Sequence, residues 1–480
     1  MTDFVHLHVH SQYSLLDGQA SVTGLVDKAL ALGMPGFALT DHGNMFGVKE
    51  LANYVNKLKG KYKGKIAEAR KRLEEAATPE EAEAIRPEVE AEIAKLEKKL
   101  EFKPIFGCEM YVAMGSLNDR SDKTDKGRHL VVLAKNLKGY KNLIKIVSQA
   151  HTEGFYHHPR TDKQALASHR EGLIVCSACL GGELPRLIMS GDIPGAEKAM
   201  LWYKETFGDD YYVELQRHPT NIPGANRETF EMQQKVNPVL IELARKHGIK
   251  IIATNDSHFI NAEDAEAHDR LICISTNNYL TDPGRMRYTH QEWFKSQDEM
   301  AALFPDLPEA LSNTKEILDK VEIYSIDHPP IMPFFEIPAD FGTEEEYRAR
   351  LTEQDLFEEF TRDENGNVVL SPEAAQKKIE KLGGYDKLYR IKFEADYLSK
   401  LAYEGAERRY GSPLTDELKE RINFELYIMK TMGFPGYFLI VQDFINVARK
   451  DLGVSVGPGR GCRKRRGLLS RYHAGRPHQV

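Results

Sequence analysis

Three histidines stand at alternate positions near the start of the chain, in the segment FVHLHVH. They are His6, His8 and His10. In a β-strand, alternate side chains point to the same face, so this spacing directs three imidazoles to one side of an extended segment. Neutral imidazole is the commonest nitrogen ligand of zinc-like ions, and a core strand does not usually carry three histidines on one face. The segment therefore predicts a metal site at the end of a first strand.

Other side chains that bind metals or transfer protons lie beside later segments that have strand character. They are Asp17, Asp41, His42, Glu109, His129, Cys176, Cys179, Glu214, His218, Asp256 and His258. Taken singly, an aspartate after a strand is typical of a helix N-cap, and a lone cysteine is typical of a buried structural residue. Taken together, imidazole and carboxylate ligands suit Zn, Mn or Fe in a site of several ions, and such sites cleave phosphate esters.

The elements that must position these side chains alternate between strand and helix over residues 1–284. The histidine segment is followed by an amphipathic helix, Val22–Leu32, and by a second strand in GFALTDHGN. Further strands are predicted at Pro104–Met110, His129–Ala134, Gly172–Cys176, Tyr211–Leu215 and Ile251–Thr254. This order favours parallel pairing in an α/β barrel, and such barrels collect their chemistry at the C-terminal ends of the strands.

Two parts of the chain depart from this alternation. Residues 57–103 are rich in Ala, Glu and Lys and predict two charged helices broken near Thr78-Pro79, where a solvated hairpin is favoured over a DNA contact. From about residue 285 the alternation ends. Residues 285–345 are assigned to a Pro-rich linker and the start of a second domain, and residues 346–461 to a mainly helical region with a glycine-punctuated motif.

The composition excludes several classes of protein. The chain has 480 residues, a formal net charge of −7 and five cysteines. This length predicts two or three domains, and so few cysteines do not form a disulfide framework. No apolar run approaches the roughly 20 residues of a membrane helix. The N-terminus has no basic-then-apolar signal region, which predicts a cytoplasmic protein.

Several motifs carry a resemblance to a known family. HLHVHS, TDHGN, the glutamate of GCEMY and NDSH resemble the motifs of the PHP (polymerase and histidinol phosphatase) domain. The segments FVHLHVHSQYSLLDG, SACLGGELP and MGFPGYFLIVQDFINVARKDLGVSVGPGRG resemble the N-terminal part of the bacterial replicative DNA polymerase III alpha subunits. The resemblance covers residues 1–461 apart from 57–103. It implies a distorted (β/α)7 PHP barrel followed by an α+β partial polymerase palm.

The resemblance also implies a metal centre, with up to about nine ligands for two to three divalent ions (Zn, Mn or Fe). Carried over by motif, the ligands are His8, His10, Asp17, His42, Glu109, His129, Cys179, Asp256 and His258. All except His129 and Cys179 are also assigned a catalytic role. Cys176 and His218 remain alternatives to Cys179, and His6 is assigned a supporting role.

The activity implied is metal-dependent 3′–5′ exonuclease or phosphoesterase action on DNA. Two alternatives remain: a stand-alone phosphatase for a small ester such as histidinol phosphate, and a non-catalytic scaffold that docks a proofreading exonuclease. For a full-length polymerase, the resemblance implies Mg, an incoming dNTP, and replisome partners that include the sliding clamp and the clamp loader. No membrane partner is implied.

The end of the chain contains a predicted nucleotide site and a departure from the family. Glycine backbones and an arginine fork suit an anion, and the resemblance implies that Gly457, Gly459, Arg460 and Gly461 lie near the triphosphate of an incoming dNTP. Residues 462–480 read CRKRRGLLSRYHAGRPHQV instead of the small and apolar residues of the family. Back-translated from Arg466 with one choice of synonymous codons and read one base later, this tail encodes VAYCLGITQVDPIR, which resembles the missing family segment and predicts a frameshift. A basic, glycine-containing tail has no core to join, so it is also expected to be disordered. The palm aspartates lie downstream in the family, so the printed chain is not expected to polymerise DNA.

Overall fold

The computed structural model describes residues 4–76, 78–328, 333–363 and 366–454. Within the chain, two compact units are separated at His328: Met1–His328 and Pro329–Val480. The strands of the first unit are β1 (Gly36–Leu39), β2 (Lys103–Val112), β3 (Arg128–Ala134), β4 (Phe155–Tyr156), β5 (His158–Thr161), β6 (Leu173–Cys176), β7 (Tyr211–Leu215) and β8 (Ile251–Ala253).

The helices of the first unit are α1 (Val22–Ala31), α2 (Val48–Glu74), α3 (Pro79–Leu100), α4 (Leu137–Thr152), α5 (Lys163–Ser168), α6 (Glu183–Met189), α7 (Ile193–Phe207), α8 (Glu228–Lys246), α9 (Ala265–Thr276), α10 (Gln297–Leu303) and α11 (Pro308–Lys320). Those of the second unit are α12 (Glu344–Arg350), α13 (Glu353–Thr361), α14 (Pro372–Leu382), α15 (Tyr385–Tyr410), α16 (Asp416–Thr431) and α17 (Pro435–Lys450). None of the helices in the described ranges is long and apolar enough to span a membrane.

A curled sheet forms the centre of the first unit, in the order β1-β2-β3-β6-β7-β8. The N-terminal segment closes this sheet into a ring. On one side Ala38 N donates to His6 O at 2.8 Å, and on the other His10 N donates to Ser257 O at 2.8 Å. The six strands and this segment therefore make the distorted seven-stranded barrel that the PHP resemblance implies. The α/β fold is confirmed.

The histidine segment itself is less regular than predicted. Its backbone pairs with β1 and with the residues after β8 through a few hydrogen bonds and one isolated bridge, Val9 to Ser257. The chain bends at His8. Val5 and Leu7 lie in the cluster inside the barrel, whereas Val9 packs in the outer cluster beneath the helices. The alternation of faces therefore stops where the first metal-ligand candidate begins.

One strand also runs against the predicted parallel order. β3 is antiparallel to both of its neighbours, β2 and β6. The connection from β2 to β3, residues 113–127, contains no helix, so the chain returns directly instead of crossing over. The buried guanidinium of Arg160 holds this connection, donating to Asp119 O at 2.7 Å and to Asp125 O at 3.0 Å.

Helix α11 closes the interior of the barrel. Its Ile317 and Leu318, with Val321 just after it, belong to the cluster inside the barrel. Thr314 Oγ1 accepts a hydrogen bond from Val5 N at 2.8 Å, which ties the helix to the N-terminal segment. Residues 285–328, which the sequence assigns to the linker and the start of a second domain, therefore pack as part of the first unit.

The charged insertion forms a long helical hairpin. Thr78 ends the turn and caps α3, because its Oγ1 accepts from Glu81 N at 3.2 Å, and Pro79 occupies the first helical turn. The break between the two helices thus lies at the predicted Thr78-Pro79.

The second unit is helical in its described ranges, 333–363 and 366–454, with one isolated bridge from Arg362 to Val368. Phe393, Tyr397 and Leu398 of α15 pack with Leu439 of α17 in its core. The predicted triphosphate-loop residues Gly457, Gly459, Arg460 and Gly461 and the tail 462–480 lie outside the described residues.

Candidate metal centre

The predicted ligands converge at one mouth of the barrel because of where each lies on its strand. His42 follows β1, Cys179 follows β6, and Asp256 and His258 follow β8. The reversed strand β3 contributes from its beginning instead, where His129 lies. An antiparallel strand reaches the same mouth with its N-terminal end, so its ligand precedes its apolar residues.

Glu109 on β2 lies at the centre of the cluster, with four imidazoles around its carboxylate. Its Oε1 is 2.8 Å from His129 Nδ1 and 3.3 Å from His8 Nε2. Its Oε2 is 2.5 Å from His42 Nδ1 and 3.7 Å from His10 Nε2. The carboxylate is 2 % exposed, so these imidazoles are its main polar surroundings.

Asp256 forms a second centre beside Glu109. Its Oδ1 lies 3.2 Å from His8 Nε2 and 3.1 Å from His10 Nε2. His258 Nδ1 is 3.7 Å from the same oxygen. Asp256 has a φ of 48°, a left-handed conformation that is unusual outside glycine. The turn after β8 thus aims this carboxylate into the mouth at some cost in backbone strain.

Asp17 lies between the rings of His42 and His258. Its Oδ2 is 3.1 Å from His42 Nε2 and 3.8 Å from His258 Nε2. Tyr288 Oη donates to its Oδ1 at 2.9 Å, and His268 Nε2 lies 3.8 Å from that oxygen. The sequence analysis missed Tyr288 and His268, because both stand in segments without the strand alternation that drew attention to the other residues.

Cys179, Cys176 and His218 are alternative candidates for one ligand position, and of these three Cys179 reaches the cluster. Its Sγ is 3.6 Å from His129 Nδ1 and 3.8 Å from Glu109 Oε1. Cys176 is fully buried in the cluster inside the barrel. His218 Nε2 instead bonds Asn255 O at 3.1 Å.

The donor set fits divalent metal ions. Three groups of side chains each offer ligand atoms within 4.8 Å of one another; they are His10, His42 and His258; His8, His10 and Asp256; and Glu109, His129 and Cys179. Five of the buried atoms that face the centre lie close to one another but form no hydrogen bond of acceptable geometry among the described residues: His8 Nε2, His10 Nε2, His42 Nδ1, Glu109 Oε2 and Asp256 Oδ1. Buried polar atoms are rarely left unpaired, so this concentration points to ligands that coordinate ions.

The charge states of Glu109 and His10 suit such a role. Burial opposes ionisation of Glu109, but His129, His8 and His42 hold the pKa of this carboxyl well below its ordinary value. Burial, together with the nearby His42 and His258, lowers the pKa of His10 to about 3. Ionised carboxylates and a neutral imidazole are the protonation states in which these groups bind metals. Burial opposes charge on His8 and His42, but nearby carboxylates raise the pKa of both rings well above its ordinary value, so ions would displace protons there.

A layer of polar groups behind the cluster orients the first two histidines. His8 Nδ1 is 2.7 Å from Glu214 Oε1, and His10 Nδ1 is 2.9 Å from Ser14 Oγ. Ser14 Oγ in turn donates to Asp41 Oδ1 at 2.8 Å. These contacts leave both Nε2 atoms facing the centre, which is how metal-binding histidines are usually held. Glu214 and Asp41 therefore lie behind ligand candidates instead of among them.

His6 does not face the centre. Its Nε2 is 2.8 Å from Lys295 O, and its ring packs on Phe294 at 4.1 Å between centroids. Burial lowers the pKa of His6 to about 4, which keeps the ring neutral in this setting. Its contacts are those of a packing residue beneath the mouth.

A cavity of about 980 Å³ opens over the cluster. Asp17, His42 and Asp256 lie in its wall. Four arginines also line it: Arg186, Arg227, Arg285 and Arg287. Arg285 is held by Asp269 in a paired contact of 2.6 Å at each nitrogen. The cavity thus combines metal-ligand chemistry with positive charge suited to a phosphate ester.

Comparison with known families identifies the class of the first unit. Residues 6–218 match the PHP domain, and this range includes seven of the nine predicted ligands, from His8 to Cys179, but not the pair after β8. Residues 396–464 match the bacterial DNA polymerase III alpha NTPase domain. The first unit therefore carries a PHP domain.

The relatives narrow the assignment. Over 95% of its length the chain is 37% identical to the DNA polymerase III subunit alpha of Borreliella burgdorferi and 36% identical to that of Treponema pallidum, covering 31% of each. It is 34% identical to the protein of the same name from Thermus aquaticus, again over 95% of the chain and 34% of the relative. The chain is thus similar over nearly its whole length to these bacterial polymerase subunits, and it spans about a third of the length of these curated relatives.

Proposed function

We propose that the PHP barrel is a metal-dependent phosphoesterase that removes nucleotides from the 3′ end of a DNA strand. The observation that carries the proposal is the set of buried nitrogen and oxygen atoms of His8, His10, His42, Glu109 and Asp256 around one centre, which form no hydrogen bond of acceptable geometry among the described residues. Such a set is costly in a protein unless ions coordinate it. The nine ligands of the proposal are the nine side chains predicted from the sequence, and the ions are two to three Zn, Mn or Fe.

Each part of the site has a task in this reaction. Glu109 and Asp256, which each face several imidazoles, would hold the ions together with those rings, and His129 and Cys179 would add ligands on one side of the cluster. When bound, divalent ions lower the pKa of an attacking water and neutralise charge on the phosphate. Arg186, Arg227 and Arg287 on the cavity wall bind and orient the anionic backbone of the substrate.

The wider role follows from the relatives. We propose that the chain acts as part of a replicative DNA polymerase III alpha subunit, in which a DNA-directed polymerase activity uses Mg and dNTP. DNA, a proofreading exonuclease, the sliding clamp and the clamp loader are the proposed partners. This proposal is supported by the identity of 37% to a polymerase alpha subunit across 95% of the chain.

The test combines metal analysis with a strand-specific assay. The 480-residue protein, supplied with Zn, Mn or Fe, is analysed by mass spectrometry for bound metal and incubated with single-stranded DNA labelled at either end. The variant His8→Ala/His10→Ala is compared with His169→Ala, whose half-buried ring bonds Ala165 O outside the centre. We expect bound metal and stepwise loss of 3′ nucleotides in the wild type and in His169→Ala, and neither in the double variant.

Three results would contradict the proposal. A protein that takes up no metal favours a scaffold that docks a separate exonuclease. A metal-loaded protein that hydrolyses histidinol phosphate but leaves DNA intact favours a small-molecule phosphatase. Equal activity in the double variant would place the chemistry away from the mouth of the barrel.

A further inference from the structure

The helical hairpin carries an exposed face with an unusual composition. In the sequence KLKGKYKGK, residues 57–65 of α2, five lysines and two glycines occupy seven of nine positions. We call these seven residues the lysine–glycine face; they are Lys57, Lys59, Gly60, Lys61, Lys63, Gly64 and Lys65. Six of them are exposed, and Lys59 is half-buried.

Helix geometry arranges the seven residues in an ordered way. Successive residues of an α-helix are rotated by about 100°, so Gly60 and Gly64 lie together on the side opposite the buried residues of α2. Lys63 flanks the two glycines on one side, and Lys59 lies further round the helix, next to its buried residues. The other three lysines flank them on the opposite side. The result is a strip of bare backbone with ammonium groups on both sides.

The charges of this face are uncompensated, in contrast to the distal half of the same hairpin. There Arg70 pairs with Glu97 at 3.2 Å, Lys71 with Glu75 at 3.1 Å, and Arg72 with Glu92 at 3.3 Å.

Within the described part of the chain, none of the five lysines of the face forms an ion pair. Burial and the neighbouring Lys63 and Lys103 lower the pKa of Lys59, which shows that like charges crowd this region.

The glycines have no role in the packing of the hairpin. A Cβ added at Gly60 or at Gly64 would meet no atom within 4 Å. Neither residue has a positive φ, since both lie inside the regular helix α2. Glycine is one of the most unfavourable residues in a helix interior, so two glycines on an open surface destabilise the helix, and no packing contact compensates for that loss. Close approach of another molecule to the backbone would explain why glycine occupies both positions.

We propose that the lysine–glycine face binds the sugar-phosphate backbone of a nucleic acid without reading its sequence. The lysines supply ammonium charges at positions that repeat along the helix, and the glycines let the backbone of the ligand approach between them. A Cβ at Gly60 or Gly64 would meet no atom within 4 Å, so the strip between the lysines has no side chain that would pack against those of an acidic protein segment, which favours phosphates over carboxylates as its ligand. Binding of this kind depends on charge number and on salt, not on base identity.

The test measures DNA binding by the full chain as a function of salt. Labelled single-stranded and duplex DNA of mixed sequence are titrated by fluorescence anisotropy, with EDTA present so that the metal centre neither binds through ions nor cleaves. The variant K57Q/K61Q/K65Q removes one row of the face. Its control, R70Q/K71Q/R72Q, removes the same charge from the same helix at residues that are ion-paired.

We expect the plot of log K against log salt concentration to be less steep for K57Q/K61Q/K65Q than for the wild type, by about 2 to 3 in the slope. The control should keep the wild-type slope. Between 50 and 200 mM salt, the wild type then loses roughly 20- to 40-fold more affinity than the variant. Comparison of the single strand with the duplex shows which form supplies the phosphates. Replacement of the same three lysines by arginine, which keeps the charge, should retain the slope and controls for a folding defect.

Equal slopes in the two triple variants would overturn the proposal, because binding would then follow total charge alone. The proposal also fails if polyglutamate binds the wild type through these lysines while DNA binding is unchanged in K57Q/K61Q/K65Q. The glycines give a separate test: G60A/G64A should raise the melting temperature of the chain and weaken DNA binding. A variant that is both more stable and equally tight in binding would refute the close approach of a ligand.

Discussion

Glu214 offers a sharp test of how the metal centre is built, because it touches a ligand candidate without belonging to the cluster. Its Oε1 lies 2.7 Å from His8 Nδ1 and also accepts from Gln216 Nε2 at 3.0 Å and from Thr254 Oγ1 at 2.5 Å. The carboxylate therefore holds the proton of His8 on Nδ1 and leaves the lone pair of Nε2 for an ion. We predict that Glu214→Gln weakens metal binding at His8 and leaves the fold intact.

The magnitude follows from this geometry. An amide of the same shape presents either its oxygen or its NH₂ group to Nδ1, and the second arrangement forces the His8 proton onto Nε2, where it blocks coordination. Loss of such an outer partner usually costs about 10- to 100-fold in metal affinity. This corresponds to about 1.4–2.7 kcal/mol in the free energy of metal binding. Glu214→Ala should lie at the upper end, since it also leaves three donors without an acceptor.

The assay is a competition titration of metal-stripped protein with a chromophoric chelator, with urea unfolding of the stripped protein measured in parallel. The matched control is Glu292→Gln, which changes a carboxylate that is also buried but that accepts from Thr289 Oγ1 at 2.5 Å and from Gln291 N at 2.9 Å. The control should lose stability without losing affinity at His8. Unchanged affinity in Glu214→Gln, or an equal loss in both variants, would refute the role assigned to this carboxylate.

Three further predictions concern the packing around the centre. Burial lowers the pKa of Lys295 to about 7. Above that pH the unfolded chain binds more protons than the folded chain, so the free energy of unfolding should rise by about 2 kcal/mol from pH 7 to pH 9. Urea titrations should show that Lys295→Met removes this rise. Arg160→Ala leaves the carbonyls of the 113–127 connection without a buried donor and should cost about 3 kcal/mol, with faster hydrogen exchange there. Removal of metal from a protein saturated at 100 times Kd should cost about 2.7 kcal/mol, with hydrogen exchange rising first in residues 4–10.

The position of the ligands was predictable because motif and strand end coincide in the sequence. His42 and Asp256 each lie three residues beyond the end of a short apolar strand, near the point where the chain leaves the core. His129 was predicted for a weaker reason, namely that it stands next to an apolar run. The sequence does not show that β3 runs in the opposite direction. Direction in a sheet depends on whether the connection contains a helix, and a polar loop of about fifteen residues, 113–127, fits either reading.

Other features depend on contacts between segments that are distant in the chain. Tyr288 and Asp17 form a hydrogen bond although 271 positions separate them in the chain, and no sequence pattern in either segment predicts that contact. The sequence assigns residues 308–320 to a linker and the start of a second domain, yet helix α11 spans them and its Leu318 packs inside the barrel. Apolar residues in a segment do not state which core receives them.

The metal centre and the closure of the barrel are built from the same short segment. His8 and His10 offer their Nε2 atoms to the centre, while the backbone around them bonds β1 on one side and Ser257 on the other. Ser257 stands between Asp256 and His258, so both edges of the seam carry ligands. Ions held by these side chains would therefore link the two edges of the sheet. Because few backbone hydrogen bonds hold this seam, we predict that metal binding contributes to the stability of the barrel.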